Sequence, residues 1–217
     1  MKTVLDIDGL LREVTVFVEN ESMHNELSLY GVTDGKTVGT YLEHKFKRHL
    51  DSLYIYEPGN SATGIDFPGL DVDLKVTVIT QPQSSCPFKS PRQKIYGLGY
   101  HLLVFVYEKF DDHNLRTARL DIKHALFIHK DRTADYQMTR GIAEILSKDG
   151  NADDLVAFFQ DRMLPADDIE SRKIAEEVLR QPPNQGYLTV SNALQWRLQY
   201  SRVIQKAGEV EGLYRIG

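Results

Sequence analysis

The sequence has little cysteine, no long apolar run, no Cys/His zinc pattern and no glycine-rich phosphate loop. Its single cysteine, Cys86, excludes an intramolecular disulfide framework and suits a reducing compartment. No apolar stretch is long enough to cross a membrane, and the start MKTVLDIDGLLREV is too charged for a secretory signal. We therefore expect a cytoplasmic protein with no membrane partner. Internal repeats and low-complexity tracts are also missing, which leaves an ordinary globular chain.

Acidic residues outnumber basic ones, and the formal net charge is −5, but the charge is unevenly distributed. Residues 74–107 and 182–206 contain no acidic side chain, whereas acids concentrate in residues 6–34 and 149–168. The two basic tracts are candidate surfaces for contact with phosphate, and the alternative is that both are ordinary solvated faces. An acid-rich remainder is compatible with nucleic-acid binding because it reduces non-specific association.

Residues 64–77, GIDFPGLDVDLKVT, place three carboxylates and a lysine on predicted β-structure. From residue 70 to 77, apolar and polar side chains alternate strictly, so Asp71, Asp73 and Lys75 are expected on one face. The Pro68-Gly69 pair predicts a tight turn that folds residues 64–67 back and brings Asp66 near Asp73. The sequence therefore predicts two carboxylates converging beside Lys75.

Neighbouring carboxylates repel each other unless a cation neutralises them, which points to a metal site. Oxygen ligands of this kind suit Mg²⁺, with Mn²⁺ as a substitute, rather than zinc. Asp71 shares the predicted strand face with Asp73 and could replace it as a ligand. The alternative is a solvated edge strand that carries ordinary paired charges.

A helix is predicted immediately before this hairpin. Residues 36–50 carry apolar side chains at helical spacing, and Glu43 lies at the border of the apolar stripe. Glu43 either faces the predicted site or forms a plain ion pair with Lys47, its i+4 neighbour.

The remaining pattern predicts an α/β fold with a mixed central sheet flanked by helices. Residues 100–107, YHLLVFVY, indicate a central strand buried on both faces, and residues 125–129 a second short strand. Residues 80–92 are predicted to form a polar loop. Helices are predicted over residues 7–18, 134–147 and 152–163.

A change of pattern at residues 165–168 predicts a main domain over residues 1–165 and a small unit over residues 166–217. A helix over 170–180, a breaker at 181–184, a basic helix over 191–207 and a terminal hairpin over 208–216 resemble a winged-helix unit. This unit is expected either to read DNA or to act as a structural or dimer-forming cap. The candidate DNA contacts of this unit and of the 80–94 segment are Gln81, Gln83, Lys89, Arg92, Lys94, Asn192, Gln195, Arg197 and Arg202.

The arrangement Gly64-Ile65-Asp66 followed by Asp73-Leu74-Lys75 resembles the active-site hairpin of the PD-(D/E)XK nuclease superfamily. The short step between the two acids is similar to the compact hairpin of MutH-like members. The first acid follows isoleucine instead of proline, and the second acid is Asp where many relatives carry Glu. The resemblance implies a restriction-endonuclease-like fold, Mg²⁺ bound by Asp66 and Asp73, a Lys75 that orients or helps deprotonate water, and an accessory Glu43.

By this resemblance we expect a metal-dependent endonuclease acting on double-stranded DNA, most simply a homodimeric type II restriction enzyme that leaves 5′-phosphate and 3′-hydroxyl ends. A monomeric nicking enzyme stays open. The rival functions are a non-catalytic winged-helix DNA-binding regulator, a nuclease for RNA or for branched or damaged DNA, and a structural α/β protein.

Overall fold

The computed structural model describes residues 2–59, 64–191 and 196–216. Its helices and strands follow one another in this order: β1 (Thr3–Val4), α1 (Ile7–Ser22), β2 (Asn25–Glu26), α2 (Gly35–Leu53), β3 (Tyr54–Ile55), β4 (Val72–Val78), β5 (Gln83–Cys86), α3 (Arg92–Tyr96), β6 (His101–Asp112), β7 (Thr117–Ile128), α4 (Tyr136–Leu146), α5 (Ala152–Asp161), α6 (Asp168–Arg180), β8 (Thr189–Ser191), β9 (Trp196–Gln199), α7 (Ser201–Lys206) and β10 (Leu213–Ile216).

The chain forms two compact units that are interleaved along the sequence. The first unit contains residues 1–83, 101–128 and 206–217, and the second contains residues 84–100 and 129–205. The predicted boundary at residues 165/166 falls inside the second unit, between α5 and α6. No helix in the described residues is both long and apolar enough to cross a membrane.

A mixed five-stranded sheet organises the first unit, which confirms the predicted fold class. The strands follow the order β10, β7, β6, β4, and β2 also pairs with β7. Strand β4 runs parallel to β6, whereas β6 and β7 are antiparallel. The predicted central strand is confirmed as the first part of β6, where the residues from Leu102 to Val106 are fully buried.

Helices α1 and α2 form with the sheet the main core of the first unit. Both helices begin where the sequence places a capping acid: Asp6 accepts a hydrogen bond from the N–H of Gly9, and Asp34 accepts from the N–H of Thr37. Phe17 of α1 and Phe46 of α2 pack against Phe105 of β6. Both helices are therefore held against one face of the sheet at β6, the strand that pairs with β4.

The second unit combines helices α4, α5 and α6, which share one apolar core, with a small sheet of order β5, β9, β8. Asp135 ties the two parts together, since its carboxylate accepts hydrogen bonds from the N–H groups of Met138 in α4 and Val190 in β8. The helices predicted at residues 134–147, 152–163 and 170–180 are confirmed with small shifts of their ends.

The prediction of a basic helix over residues 191–207 is wrong. Residues 189–191 and 196–199 are strands, and among the described residues of this range only Ser201–Lys206 is helical. Trp196 and Leu198 are buried while Arg197 and Gln199 are exposed, which is the two-residue period of a strand. The winged-helix interpretation of the C-terminal region therefore loses its recognition helix.

Three smaller predictions also need correction. The terminal residues form a single strand, β10, paired with β7, and not a hairpin. The polar segment 80–92 contains strand β5, and the short strand predicted at 125–129 belongs to the 12-residue β7. Strands β10 and β5 pair with strands distant in sequence, β7 and β9, which local patterning does not reveal. Strand β7 pairs along its length with β6, its neighbour in sequence.

Candidate active site

The predicted hairpin before β4 is present as a short turn. The backbone groups of Phe67 and Val72 bond to each other, with N···O distances of 2.9 and 3.2 Å, and Pro68–Leu70 forms one turn of 3-10 helix between them. Asp71 closes this turn in the left-handed conformation with φ 54°. The strand therefore starts at Val72, and the prediction that Asp71 continues the strand face of Asp73 is wrong.

The turn brings Asp66 beside β4, as expected. One carboxylate oxygen of Asp66 accepts a hydrogen bond of 2.9 Å from the backbone N–H of Leu74, the residue after Asp73. The carboxyl groups of Asp66 and Asp73 are themselves hydrogen-bonding neighbours. The two acids singled out from the sequence therefore form one pair at the start of the strand.

Lys75 completes the predicted trio. Its Nζ lies 2.7 Å from Oδ2 of Asp73, as the two-residue strand period requires. Asp73 is only 3% exposed, whereas the side chain of Lys75 retains 20% exposure. The carboxylate is thus withdrawn from solvent, while the side chain beside it remains partly exposed.

Helix α2 supplies two further charged groups. Glu43 and Lys47 form the i,i+4 pair that was the simpler reading of Glu43, with Nζ 2.9 Å from Oε1. The same Nζ lies 2.5 Å from Oδ1 of Asp66, 19 residues further along the chain. Glu43 therefore belongs both to an ordinary helix pair and to the site. We call Glu43, Lys47, Asp66, Asp73 and Lys75 the carboxylate–lysine cluster.

Sequence reasoning missed Lys47 as a member of this cluster. The i+4 spacing identified it as a partner of Glu43, but nothing in the sequence indicated that its ammonium would reach Asp66. The available signal was that Lys47 lies one helical turn after Glu43, on the side of the helix predicted to face the hairpin that carries Asp66.

The pKa values of Asp73 and Asp66 are shifted in opposite directions. Burial raises the pKa of Asp73 to about 7, and Asp66 adds to the rise, whereas Lys75 only partly offsets it. Burial also opposes ionisation of Asp66, but hydrogen bonds with Asp73 and Lys47 outweigh that effect and lower its pKa. The pair therefore tends to hold one proton, on Asp73, in the absence of a further cation.

Glu43 and Lys47 respond to the same surroundings. Burial raises the pKa of Glu43, and the neighbouring Asp66 acts in the same direction. Burial disfavours the charged form of Lys47, but its hydrogen bonds with Asp66 and Glu43 prevail and raise its pKa. The cluster thus contains three carboxyl groups and two ammonium groups in partly dry surroundings, which leaves an excess of negative charge when all are ionised.

This donor set suits a hard divalent cation. Asp66 and Asp73 offer carboxylate oxygens, the ligands that Mg²⁺ and Mn²⁺ prefer. Within the described part of the chain, no three His, Cys, Asp or Glu side chains form a ready-made metal site. The fit therefore rests on the aspartate pair, whose shared proton a divalent cation would replace.

Two of the candidate DNA contacts lie next to the site strand in the first unit. The hydroxyl of Thr77 in β4 donates to the carbonyl of Gln81 at 3.1 Å and accepts from the N–H of Gln83 at 3.0 Å. Gln81 is exposed and Gln83 is half-buried. Their backbone is therefore anchored near the far end of β4, the strand that carries Asp73.

The candidates in the second unit differ in accessibility. Lys89 and Arg197 are exposed. Arg92 is engaged by the carboxylates of Glu170 and Glu177 on α6.

Lys94 is buried, which lowers its pKa, and Arg202 stacks on the ring of Tyr136. Asn192 and Gln195 lie outside the described residues.

Two comparisons with known proteins point to the same family. The family described as type II restriction enzyme NspV matches residues 4–215. The type II restriction enzyme NspV of Nostoc sp. (strain ATCC 29411 / PCC 7524) is 59% identical over 214 residues, which cover 99% of this chain and 97% of that protein. No solved structure matches the chain.

Proposed function

Because the chain belongs to the NspV family of type II restriction enzymes, we propose that it hydrolyses phosphodiester bonds of double-stranded DNA at a specific sequence, with a divalent metal ion. The observation that carries the metal-dependent part is the aspartate pair beside Lys75 at the start of β4. An acid pair in which the buried Asp73 has a raised pKa beside a lysine is an arrangement suited to hydrolysis and is costly for the fold alone.

We assign the attack step to Lys75. Its ammonium is held by Asp73 on a side chain that is partly exposed, and we propose that it orients a water molecule beside the scissile phosphate and helps to move its proton. In-line attack at phosphorus breaks the bond to the 3′ oxygen, which leaves a 5′-phosphate and a 3′-hydroxyl. We propose that Glu43, which shares Lys47 with Asp66, accepts a hydrogen bond from the same water.

We propose Mg²⁺ as the cofactor, with Mn²⁺ as a substitute, and Asp66 and Asp73 as the residues that hold it. The bound cation supplies Lewis-acid stabilisation of the charge that develops on the phosphate and the leaving oxygen. Lys47 and the N–H of Leu74 hold the carboxylate of Asp66 from two sides, which fixes the direction of its oxygens. This preorganisation reduces the cost of assembling the site.

The partners follow from the same proposal. A homodimer in the cytoplasm is the simplest assembly for cutting both strands of a symmetric site. The exposed Gln81, near β4, and the exposed Lys89 and Arg197 of the second unit are proposed DNA contacts. Arg92 and Lys94 are weaker candidates, because the first is occupied by two glutamates and the second is buried.

Incubation of mixed-sequence duplex DNA with the protein tests the proposal directly. We expect discrete fragments with Mg²⁺ and intact DNA with EDTA. Single-stranded DNA, RNA and branched duplexes serve as parallel substrates, and preferential cutting of any of these would replace the proposed substrate. Tight duplex binding without cleavage under all metal conditions would favour a non-catalytic regulator.

Lys47→Ala tests whether the helix lysine belongs to the metal environment. The change leaves three carboxyl groups with one ammonium, so repulsion in the metal-free cluster increases. We expect a lower thermal midpoint than wild type in EDTA and a larger upward shift on adding Mg²⁺, since the cation relieves more repulsion. Differential scanning fluorimetry without DNA measures both quantities.

Lys45→Ala is a matched control on the same helix. Lys45 and Lys47 have side chains of equal exposure, 26%, and Lys45 pairs with Glu21 at 2.7 Å, outside the cluster. This variant should lose stability without any change in the Mg²⁺ shift. If Mg²⁺ raised the thermal midpoint of Lys47→Ala and of wild type equally, Lys47 would not be part of the metal environment.

A further inference from the structure

The second unit contains a cleft of about 380 Å³ that the hydrolytic site does not use. Three arginines line it: Arg140 from α4, Arg162 directly after α5, and Arg202 from α7. Tyr136 and Glu144, each one helical turn from Arg140 on α4, complete its wall. We call this feature the arginine cleft.

The charge of the arginine cleft is positive. Glu144 is the one acid among the described residues that line it, and it already pairs with Arg140 at 2.9 Å. Arg162 donates to the side-chain oxygen of Gln137 at 2.9 Å and lies over the ring of Phe158. Because arginine stays protonated in proteins, the lining carries an excess of two positive charges. An anion is therefore the favoured occupant.

Arg202 is the most informative of the three. Its guanidinium carbon lies 3.7 Å from the centre of the Tyr136 ring, so stacking fixes the plane of the group. Its Nε is buried and finds no hydrogen-bond acceptor among the described residues. Buried N–H groups of folded proteins are almost always paired, so this N–H calls for an acceptor that is not among the described residues.

We propose that the arginine cleft binds a phosphodiester group of the DNA backbone. This inference rests on the proposed function, which makes DNA the substrate. The forked N–H groups of arginine match the oxygens of a phosphate better than they match a neutral acceptor. A backbone contact positions the duplex without reading its sequence. Arg202, considered from the sequence as a contact to bases or phosphates, is thereby assigned to phosphate, together with Arg140 and Arg162.

The test uses equilibrium binding to fluorescent mixed-sequence duplexes in EDTA over a series of salt concentrations. For Arg202→Gln and for Arg162→Gln we expect Kd to rise about tenfold for every duplex. We also expect the slope of log K against log salt to fall by about one, because one phosphate contact is lost. Arg172→Gln is the control, since Arg172 lies in the same unit, is exposed and pairs with Asp153 at 2.7 Å.

Glu144→Gln provides a change of opposite sign that leaves the stack of Arg202 on Tyr136 in place. Removing the acid frees Arg140, so duplex binding should become tighter and more dependent on salt. A purely structural role for these residues predicts no such gain. This variant also keeps the proposal testable if Arg202→Gln fails to fold.

The possible results distinguish a failure of the arginine-cleft proposal from a failure of the proposed function. Absence of duplex binding by the wild-type protein would overturn the proposed function together with the cleft. Normal wild-type binding, with both arginine variants and Glu144→Gln matching the control, would overturn the cleft alone. Inorganic phosphate is the second arm: if it raises the thermal midpoint through Arg202 while duplex binding is unchanged in Arg202→Gln, the cleft holds a free anion and the DNA assignment is wrong.

Discussion

Lys75→Ala should lower the rate of DNA cleavage by about a thousandfold while leaving duplex binding close to wild type. The ammonium of Lys75 lies beside Asp73 on a side chain that is 20% exposed, and its loss removes the group proposed to orient the attacking water. Single-turnover cleavage with saturating enzyme and Mg²⁺ measures the chemical step separately from binding. Binding to the same duplex in EDTA is measured in parallel.

A second strand lysine gives a closely matched control. Lys109 on β6 pairs with Asp111 at the same two-residue spacing as Lys75 with Asp73, and its side chain is 15% exposed against 20% for Lys75. Lys109→Ala should therefore cleave DNA at a rate within a few-fold of wild type. Equal loss of activity in both variants would mean that an Asp–Lys pair matters for folding only, and that Lys75 has no special part in hydrolysis.

Asp73→Asn should abolish cleavage and yet stabilise the metal-free protein at pH 8. The pKa of Asp73 in the folded protein, about 7, lies above the usual 3.8, so the folded state binds an extra proton between these values. Stability of the wild type therefore falls as the pH rises from about 4 to about 7. Asparagine stays neutral, and the variant should gain on the order of 1–3 kcal/mol at pH 8, a gain that disappears near pH 4.

Denaturant unfolding in EDTA at several pH values measures this difference. The lowered pKa of Asp66 acts in a separate window, because its contribution is lost only as the pH falls toward and below its usual value of 3.8. Asp111→Asn is the control of opposite sign, since Lys109 lowers the pKa of Asp111 and the ionised form is the favoured one. A loss of stability in Asp73→Asn at pH 8 would show that the Lys75 pair outweighs the cost of burial.

Several parts of the fold follow from local patterns. The strict alternation around Asp73 and Lys75 sets which side chains share a face of β4, since a strand turns its side chains over at every residue. The continuous apolar run at residues 102–106 could only belong to a strand covered on both faces. The helical spacing of apolar residues over 7–18 and 36–50 predicted α1 and α2.

The C-terminal region shows where such patterns fail. The spacing of Trp196, Leu198 and Tyr200 fits a strand, but neighbouring apolar residues also allow a helical arrangement, and the sequence favoured the helix. In the folded protein this segment is strand β9, which pairs with β8. The backbone N–H and C=O groups bond to the neighbouring strand instead of bonding within a short helix.

By itself the sequence determined the acid–x–lysine strand, the preceding Glu43 helix and the α/β class, because each depends on a periodicity contained within a few residues. Tertiary structure alone decided that Lys47 reaches Asp66, and that Arg140, Arg162 and Arg202 line one cleft. It also decided that burial raises the pKa of Asp73 to about 7. These properties depend on burial and on distances between elements far apart in the chain, and such quantities exist only after packing has brought the elements together.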